Sequence, residues 1–221
     1  MTTTVASTAE DALERPRLRG VIHRYAAITF GIGFIGLAIA AGDGAAKAWV
    51  LVYGLCVTTM LGVSAVYHSG RLSPRAVRVF KRIDHSTILL AIAGSYTAIL
   101  GLGLHGNTRA LLLAVVWSLA IAGIAIRMAW LDAPYPLVAV IYVAVGWAVL
   151  INPVAVVTEL PLGVLLLVLV GGVFYSAGAA VYALHKPNPW PATFGYHEIF
   201  HTLVVAGAAS HFLAVVLLLT N

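Results

Sequence analysis

Charged residues are scarce in this sequence, and several long stretches contain none. Asp, Glu, Lys and Arg make up only 10% of the 221 residues, whereas hydrophobic residues make up 61% and the mean hydropathy is +0.97. So few polar side chains do not cover a soluble globule, and the composition predicts an integral membrane protein. The 13 Lys and Arg outnumber the 8 Asp and Glu. They lie beside apolar runs without interleaved aromatic residues, so we predict no nucleic-acid partner.

Cysteine is nearly absent as well. The single cysteine, Cys56, lies within an apolar run. One cysteine excludes a disulfide framework within the chain and a zinc site made of several thiolates. Any metal in this protein would therefore be held by histidine and carboxylate side chains.

Seven apolar runs are present, each near the length of about 20 residues that crosses a bilayer as a helix. They cover residues 25–41, 46–67, 83–104, 109–130, 136–152, 162–184 and 197–219. Short connections rich in Gly, Pro and Asn separate them. We therefore predict an all-α membrane protein, a seven-transmembrane helix bundle over residues 21–221. Residues 1–20 are polar without apolar periodicity and are predicted to be a disordered cytoplasmic tail.

The basic residues predict the orientation of the bundle. Ten of the 13 Lys and Arg fall in the N-terminal segment and in the segments that follow spans two and six, and an eleventh, Arg127, lies at the end of span four. Cytoplasmic loops carry the excess of Lys and Arg in membrane proteins. We therefore predict a multi-pass protein of the cell inner (plasma) membrane, with the N-terminus in the cytoplasm and the C-terminus outside.

Histidines in an apolar span are the main indication of a functional site. His197 and His201 are four residues apart, so a helix places them on one face, one turn apart. His68 is at the end of span two. In the predicted topology, the end of span two and the start of span seven lie at the same membrane face. Three neutral imidazoles and a water form the usual open zinc site, so these histidines are predicted to bind Zn²⁺. Hydrogen bonding of each histidine to a neighbouring helix is the alternative.

Two further polar residues are predicted at the same membrane face. Asp84 opens span three, and Ser64 lies one turn before His68. We predict that Asp84 takes a proton from a water at the metal, or orients that water. Ser64 is the second predicted catalytic residue and would hold the water or a substrate carbonyl. Hydrogen bonding within its own helix is the alternative for Ser64.

The order of these residues resembles a known family. The segments Ser64-Ala-Val-Tyr-His68, Asp84-His-Ser86 and His197-Glu-Ile-Phe-His201, the last followed by His211-Phe, resemble the hemolysin III branch of the progestin and adipoQ receptor (PAQR) family, in the CREST superfamily. The resemblance covers the chain after the tail. It implies a seven-helix bundle with an intramembrane zinc on the same three histidines and Asp84 near the metal's water. It also implies kinship with alkaline ceramidases, which hydrolyse lipid amides.

The leading functional hypothesis is a zinc-dependent hydrolase of lipid amide or ester bonds, with a membrane lipid as substrate or ligand. One alternative is a non-catalytic, zinc-stabilised sensor of the receptor type. A pore-forming cytolysin is a second, although the spans show no sustained polar stripe. An intramembrane protease is a third, because His197-Glu198-Ile-Phe-His201 matches the H-E-x-x-H motif, in which the glutamate acts as general base.

Other histidines are predicted to lie outside the metal site. His211 lies about 21 Å along the helix from His197, and we predict that it bonds a neighbouring helix rather than lining the cavity. His23 and His85 are predicted at the membrane interface. Glu198 favours the positive end of its helix, which is reason enough for an acid at that position.

Overall fold

The computed structural model describes residues 16–68 and 72–220, and these residues form helices joined by short turns, with no strand among them. A 3₁₀ helix, Ala148–Ile151, joins the fifth and sixth α-helices. The α-helices in chain order are α1 (Val21–Ala40), α2 (Ala45–Tyr67), α3 (Pro74–Gly103), α4 (Gly106–Ala129), α5 (Tyr135–Gly146), α6 (Pro153–Glu159), α7 (Leu162–Leu184) and α8 (Tyr196–Thr220).

Six of these helices are long and apolar enough to cross a membrane, namely α1 to α4, α7 and α8. The predicted fifth span, residues 136–152, is not one continuous helix, because α5 has only 12 residues. A new helix starts at Pro153, where the Asn152 side chain accepts a hydrogen bond from the Ala155 N–H at 3.3 Å. Asn before the helix and Pro at its first position are both favoured at a helix start, which explains the interruption.

Helix α3 begins nine residues before the predicted start of the third span. The Ser73 side chain accepts a hydrogen bond from the Ala76 N–H at 3.3 Å, and Pro74 occupies the first helical position. Asp84 therefore lies about three turns inside a helix of 30 residues and not at its end.

Helix α3 is also the most buried of the six, with 72% of its apolar segment buried compared with 22–44% for the others. Glycine allows α2 to approach it closely. A Cβ atom at Gly94 would lie 2.6 Å from the Cβ of Cys56, and one at Gly101 would lie 2.5 Å from the Trp49 ring. Small residues at helix interfaces permit such close packing in membranes. This contact sets the end of α2, with Ser64 and His68, beside α3.

The segment that precedes α1 packs against the connection between α7 and α8. The Arg17 N–H donates to the Ala192 carbonyl at 3.1 Å, and the Leu18 N–H donates to the Thr193 carbonyl at 3.2 Å. The predicted disordered tail therefore does not include residues 16–20. Residues 1–15 lie outside the described residues.

Candidate metal centre and adjoining cavity

The first turn of α8 is held by Glu198. Its Oε2 accepts a hydrogen bond from the Gly195 N–H at 2.8 Å, and its Oε1 accepts one from the Arg19 Nε at 2.5 Å. A glutamate at the third helical position that binds the backbone before the helix is one half of a capping box. The helix consequently starts at Tyr196 and places His197 and His201 one turn apart.

His68 comes from the other side of the site, at the C-terminal end of α2. Its N–H donates to the Ser64 carbonyl at 3.0 Å and so ends the helix. The Nε2 atoms of His68 and His197 lie 3.1 Å apart. The ring centroid of His201 lies 5.0 Å from that of His68 and 4.5 Å from that of His197. One nitrogen of each ring lies within 4.8 Å of the other two.

This arrangement fits a zinc ion. Zinc–nitrogen bonds of about 2.0–2.1 Å at a tetrahedral angle separate two ligand nitrogens by about 3.3 Å. The His68 to His197 separation of 3.1 Å is close to that value. All three donors are imidazole nitrogens, the ligand type that the later first-row metals favour. The three histidines can therefore hold a metal, as the sequence predicted from their positions.

Asp84 and Ser64 lie in the wall of the same cavity as the three histidines. Asp84 is 7% exposed and Ser64 is 3% exposed. The Ser64 side chain faces the Asp84 carboxyl group. The structure thus brings all five predicted site residues to one cavity. The roles of Asp84 and Ser64 in catalysis stay predictions.

The cavity has a volume of about 400 Å³ and runs from the histidines through the bundle. Its histidine end is polar, whereas apolar side chains form most of its wall. Examples of these apolar lining residues are Met60, Ile88, Ile92, Leu100, Leu165 and Leu160. A long apolar space that ends at a cluster of polar groups suits a ligand with a hydrocarbon chain and a polar head.

His23 is a site neighbour that the sequence reasoning missed. It lies in the first turn of α1 and is only 2% exposed. Its ring stacks on that of His201, with centroids 3.7 Å apart and ring planes at 10°. The expectation that His23 lies outside the metal site is therefore wrong, because its ring is in direct contact with that of His201. The available signal was that the first span starts at the membrane face where the seventh span also starts.

His85 is buried among protein side chains too. It is 9% exposed, and its Nδ1 accepts a hydrogen bond from the Arg127 Nη2 at 2.7 Å. Because α3 starts at Pro74, His85 lies about three turns inside that helix. Arg127, whose sequence position indicated only a contribution to topology, is 1% exposed.

The His211 Nε2–H donates a hydrogen bond to the Val168 carbonyl of α7 at 3.3 Å. The predicted contact with a neighbouring helix is therefore confirmed. His211 also lines the large cavity, so the expectation that it would not line this cavity is wrong. Gly171 makes the approach possible, because a Cβ atom there would lie 2.4 Å from the His211 ring.

Glu198 has a different environment from the histidines on either side of it. It is fully buried, both of its oxygens are engaged, and it is not among the residues that line the cavity. A general base must reach the proton that it removes. The arrangement favours a structural role for Glu198 and does not favour the protease alternative.

The Arg19–Glu198 pair gives a testable stability effect. We expect Glu198→Gln to lower the free energy of unfolding by about 1–3 kcal/mol, because a partly buried, charge-assisted hydrogen bond is lost. Zinc content should not change. The measurement is denaturant unfolding in detergent for both single variants, Glu198→Gln and Arg19→Gln, and the double variant. Additive effects of the two substitutions would contradict a direct contact, because partners in contact are coupled.

Comparison with known proteins identifies relatives over nearly the whole chain. Residues 12–212 match the family described as haemolysin-III related. The chain is 32% identical over 200 residues to Hemolysin-3 of Bacillus cereus, which covers 86% of this chain and 88% of that protein. It is 30% identical over 200 residues to the Hemolysin-3 homolog of Bacillus subtilis (strain 168), covering 86% and 90%. It is 31% identical over 175 residues to the adiponectin receptor protein of Drosophila melanogaster, covering 69% and 38%. The predicted resemblance to the hemolysin III and PAQR families is confirmed.

Proposed function

Since the chain belongs to the haemolysin-III-related family of multi-pass membrane proteins, we propose that it is a zinc-dependent hydrolase of lipid amide or ester bonds. The observation that carries this proposal is the placement of three imidazoles at the polar end of an apolar cavity of about 400 Å³, with Asp84 in the same wall. The cavity suits the hydrocarbon chain of a lipid. The histidines and Asp84 would then face the bond to be cleaved.

His68, His197 and His201 would hold the zinc ion through one nitrogen each. Zinc in a three-histidine site acidifies a water molecule and polarises a carbonyl group. Asp84 would accept the proton of the attacking water and return it to the leaving group, as carboxylates do in general acid–base catalysis. Ser64, which faces the Asp84 carboxyl group, would hold that group in one orientation.

We further propose that the chain crosses the membrane seven times, with α5, the 3₁₀ helix and α6 together as the fifth crossing. The distribution of Lys and Arg then puts the N-terminus in the cytoplasm and the C-terminus outside. The ends of α2 and α8 that carry the histidines would lie near the cytoplasmic face. A lipid of the cytoplasmic leaflet would be the substrate.

The proposal is tested by measuring fatty-acid release from a panel of lipid amides and esters in nanodiscs. We expect purified, zinc-loaded protein to hydrolyse at least one class of lipid. Treatment with a chelator should stop the reaction, and re-addition of zinc should restore it. His68→Ala protein should be inactive at any zinc concentration that leaves the wild type active. Protein that holds one zinc and releases nothing from the whole panel would contradict the proposal.

A second candidate is a non-catalytic sensor in which zinc links two helices. The observation in its favour is that His68 ends α2, whereas His197 and His201 begin α8. A metal shared by these residues would fasten two helices that are far apart in the sequence. The Drosophila relative carries the name of a receptor. Removal of zinc would then lower the thermal stability without stopping any reaction.

A further inference from the structure

A second cavity lies beside the candidate metal centre and contains a buried arginine. Its volume is about 130 Å³, and we name it the arginine cavity after Arg127, which lines it but not the large cavity. Four residues line both cavities and so lie between them: Lys81, His85, Tyr135 and Tyr182. The arginine cavity is therefore close to the candidate metal centre but has its own set of polar groups.

The hydrogen bonds that Arg127 makes with other described residues are all to uncharged groups. Nη1 donates to the Trp130 carbonyl at 3.0 Å, and Nη2 donates to the Leu131 carbonyl at 3.0 Å and to His85 Nδ1 at 2.7 Å. An imidazole nitrogen that accepts a hydrogen bond belongs to a neutral ring. The Tyr142 side chain also lies near the guanidinium group. The buried Nε of Arg127 meets no hydrogen-bond acceptor among residues 16–68 and 72–220.

In the part of the chain that the structure describes, the positive charge of Arg127 has no partner of opposite sign. Within residues 16–68 and 72–220, no carboxylate oxygen lies within 4.0 Å of its guanidinium group. The one acidic residue that lines the arginine cavity is Asp132, which is paired with Lys81 at 3.3 Å and has a side chain that is 85% exposed. Buried charges are normally paired.

Capping of α4 accounts for only part of this arrangement. The Trp130 and Leu131 carbonyls follow the last turn of α4, so the two bonds from Arg127 cap that helix. The end of a helix carries only about half a negative charge. Some positive charge therefore remains in a buried position, next to an empty space of about 130 Å³. Capping alone does not require this space.

We propose that the arginine cavity binds an oxyanion of the phosphate class, with Arg127 as its charged partner and Lys81 at its rim. Guanidinium groups match the geometry of phosphate oxygens through planar, charge-assisted hydrogen bonds. The Lys81 side chain is 28% exposed, so it marks the side from which an anion enters. The anion is either the headgroup of a phospholipid or free phosphate. This site does not depend on the proposed hydrolase activity.

The test measures the thermal unfolding midpoint of detergent-purified protein with three probes. These are inorganic phosphate, phosphatidylglycerol, and a diacylglycerol with the same acyl chains but no phosphate. We expect the first two to raise the midpoint and the diacylglycerol to have a much smaller effect. Stabilisation by phosphatidylglycerol without an effect of inorganic phosphate assigns the site to a lipid headgroup. Equal stabilisation by the diacylglycerol, or none by any probe, overturns the proposal.

Variants assign the effect to this cavity. Arg127→Gln should weaken the response to the phosphate probes by about 10-fold or more, because a hydrogen bond to a charged group is lost. Arg78→Gln removes one charge from an exposed position of the same helix as Lys81 and should leave the response unchanged. If phosphate bound at the histidines instead, it would raise the unfolding midpoint of both variants equally. That result would overturn the proposal.

Two further variants keep the test valid if Arg127→Gln does not fold. Arg127→Lys retains the charge but not the planar group, and Lys81→Gln changes a partly exposed side chain. We expect both to weaken the response several-fold relative to Arg78→Gln. Native mass spectrometry should show fewer bound phosphatidylglycerol molecules for both. A response equal to that of Arg78→Gln in both variants would also overturn the proposal.

Discussion

Replacing His201 with alanine is expected to lower the affinity for zinc by more than about 100-fold. Loss of a residue that only hydrogen-bonds a metal ligand lowers metal affinity by roughly 10–100-fold, and loss of the ligand itself should lower it further. His201 is the most buried of the three histidines, at 2% exposed. Its loss would leave one histidine on each of α2 and α8. Two imidazoles form an incomplete site. The variant should therefore lose its zinc during purification in detergent.

Elemental analysis of purified protein measures this effect directly. The wild type should hold about one zinc per chain, as expected for a single three-histidine site. The matched control is His105→Ala, because the His105 side chain is 82% exposed and lies in a loop outside the cavity. A chelator should lower the unfolding midpoint of the wild type and the control but not of His201→Ala. The same zinc content in His201→Ala and His105→Ala would contradict the proposed site.

The histidine site was predictable because it depends on one short spacing within a helix and on the order of the spans. A spacing of four residues fixes the relation of His197 to His201 in any helix. The order of the spans then put the end of the second and the start of the seventh at one membrane face. Because the chain has only one cysteine, a metal site of several thiolates was excluded, and histidine and carboxylate side chains remained as the available ligands. The sequence therefore predicted which residues come together without any knowledge of the packing.

The parts that were not predictable depend on contacts between distant segments. The Arg19–Glu198 bond joins residues 179 positions apart, and no spacing rule relates them. The stacking of His23 on His201 and the burial of Arg127 depend on how α1 and α4 rotate about their axes. The apolar runs do not fix that rotation, because their hydrophobicity is nearly uniform around each helix.

Helix boundaries were the other source of error. An apolar run predicted the third span from residue 83, whereas the first two turns of α3 are polar and contain Arg75, Arg78 and Lys81. Ser73 and Pro74 determine where the helix starts. The fifth span was predicted as one helix because apolar residues continue through the break. Hydropathy indicates whether a segment lies in an apolar environment. The capping residues determine where a helix starts and whether a segment forms one helix or two.

The burial of Asp84 within α3 makes it the residue that best separates the two candidate functions. A carboxylate that only supports packing at this position could be replaced by the nearly isosteric asparagine at a modest cost. A carboxylate that exchanges a proton with water could not, because an amide does not act as a general base at neutral pH. Asp84→Asn therefore changes the chemistry of the group while it preserves the shape.

We expect Asp84→Asn to lower kcat for lipid hydrolysis by about 10²–10⁴-fold, the usual contribution of a positioned general acid–base group. The zinc content should stay near that of the wild type, because the three histidines are unchanged. Ser64→Ala should have a smaller effect on kcat, because it removes only the group that orients Asp84. The measurement combines fatty-acid release with elemental analysis of the same protein samples.

The combination of activity and zinc content separates catalysis from a loss of structure. Low kcat with full zinc content is the result expected for a proton-transfer role of Asp84. Low kcat with lost zinc would show that Asp84 supports the metal site instead, as carboxylates near metal ligands do. Unchanged function with full zinc content would contradict the hydrolase and favour the sensor, in which the metal links α2 to α8 and no proton is transferred.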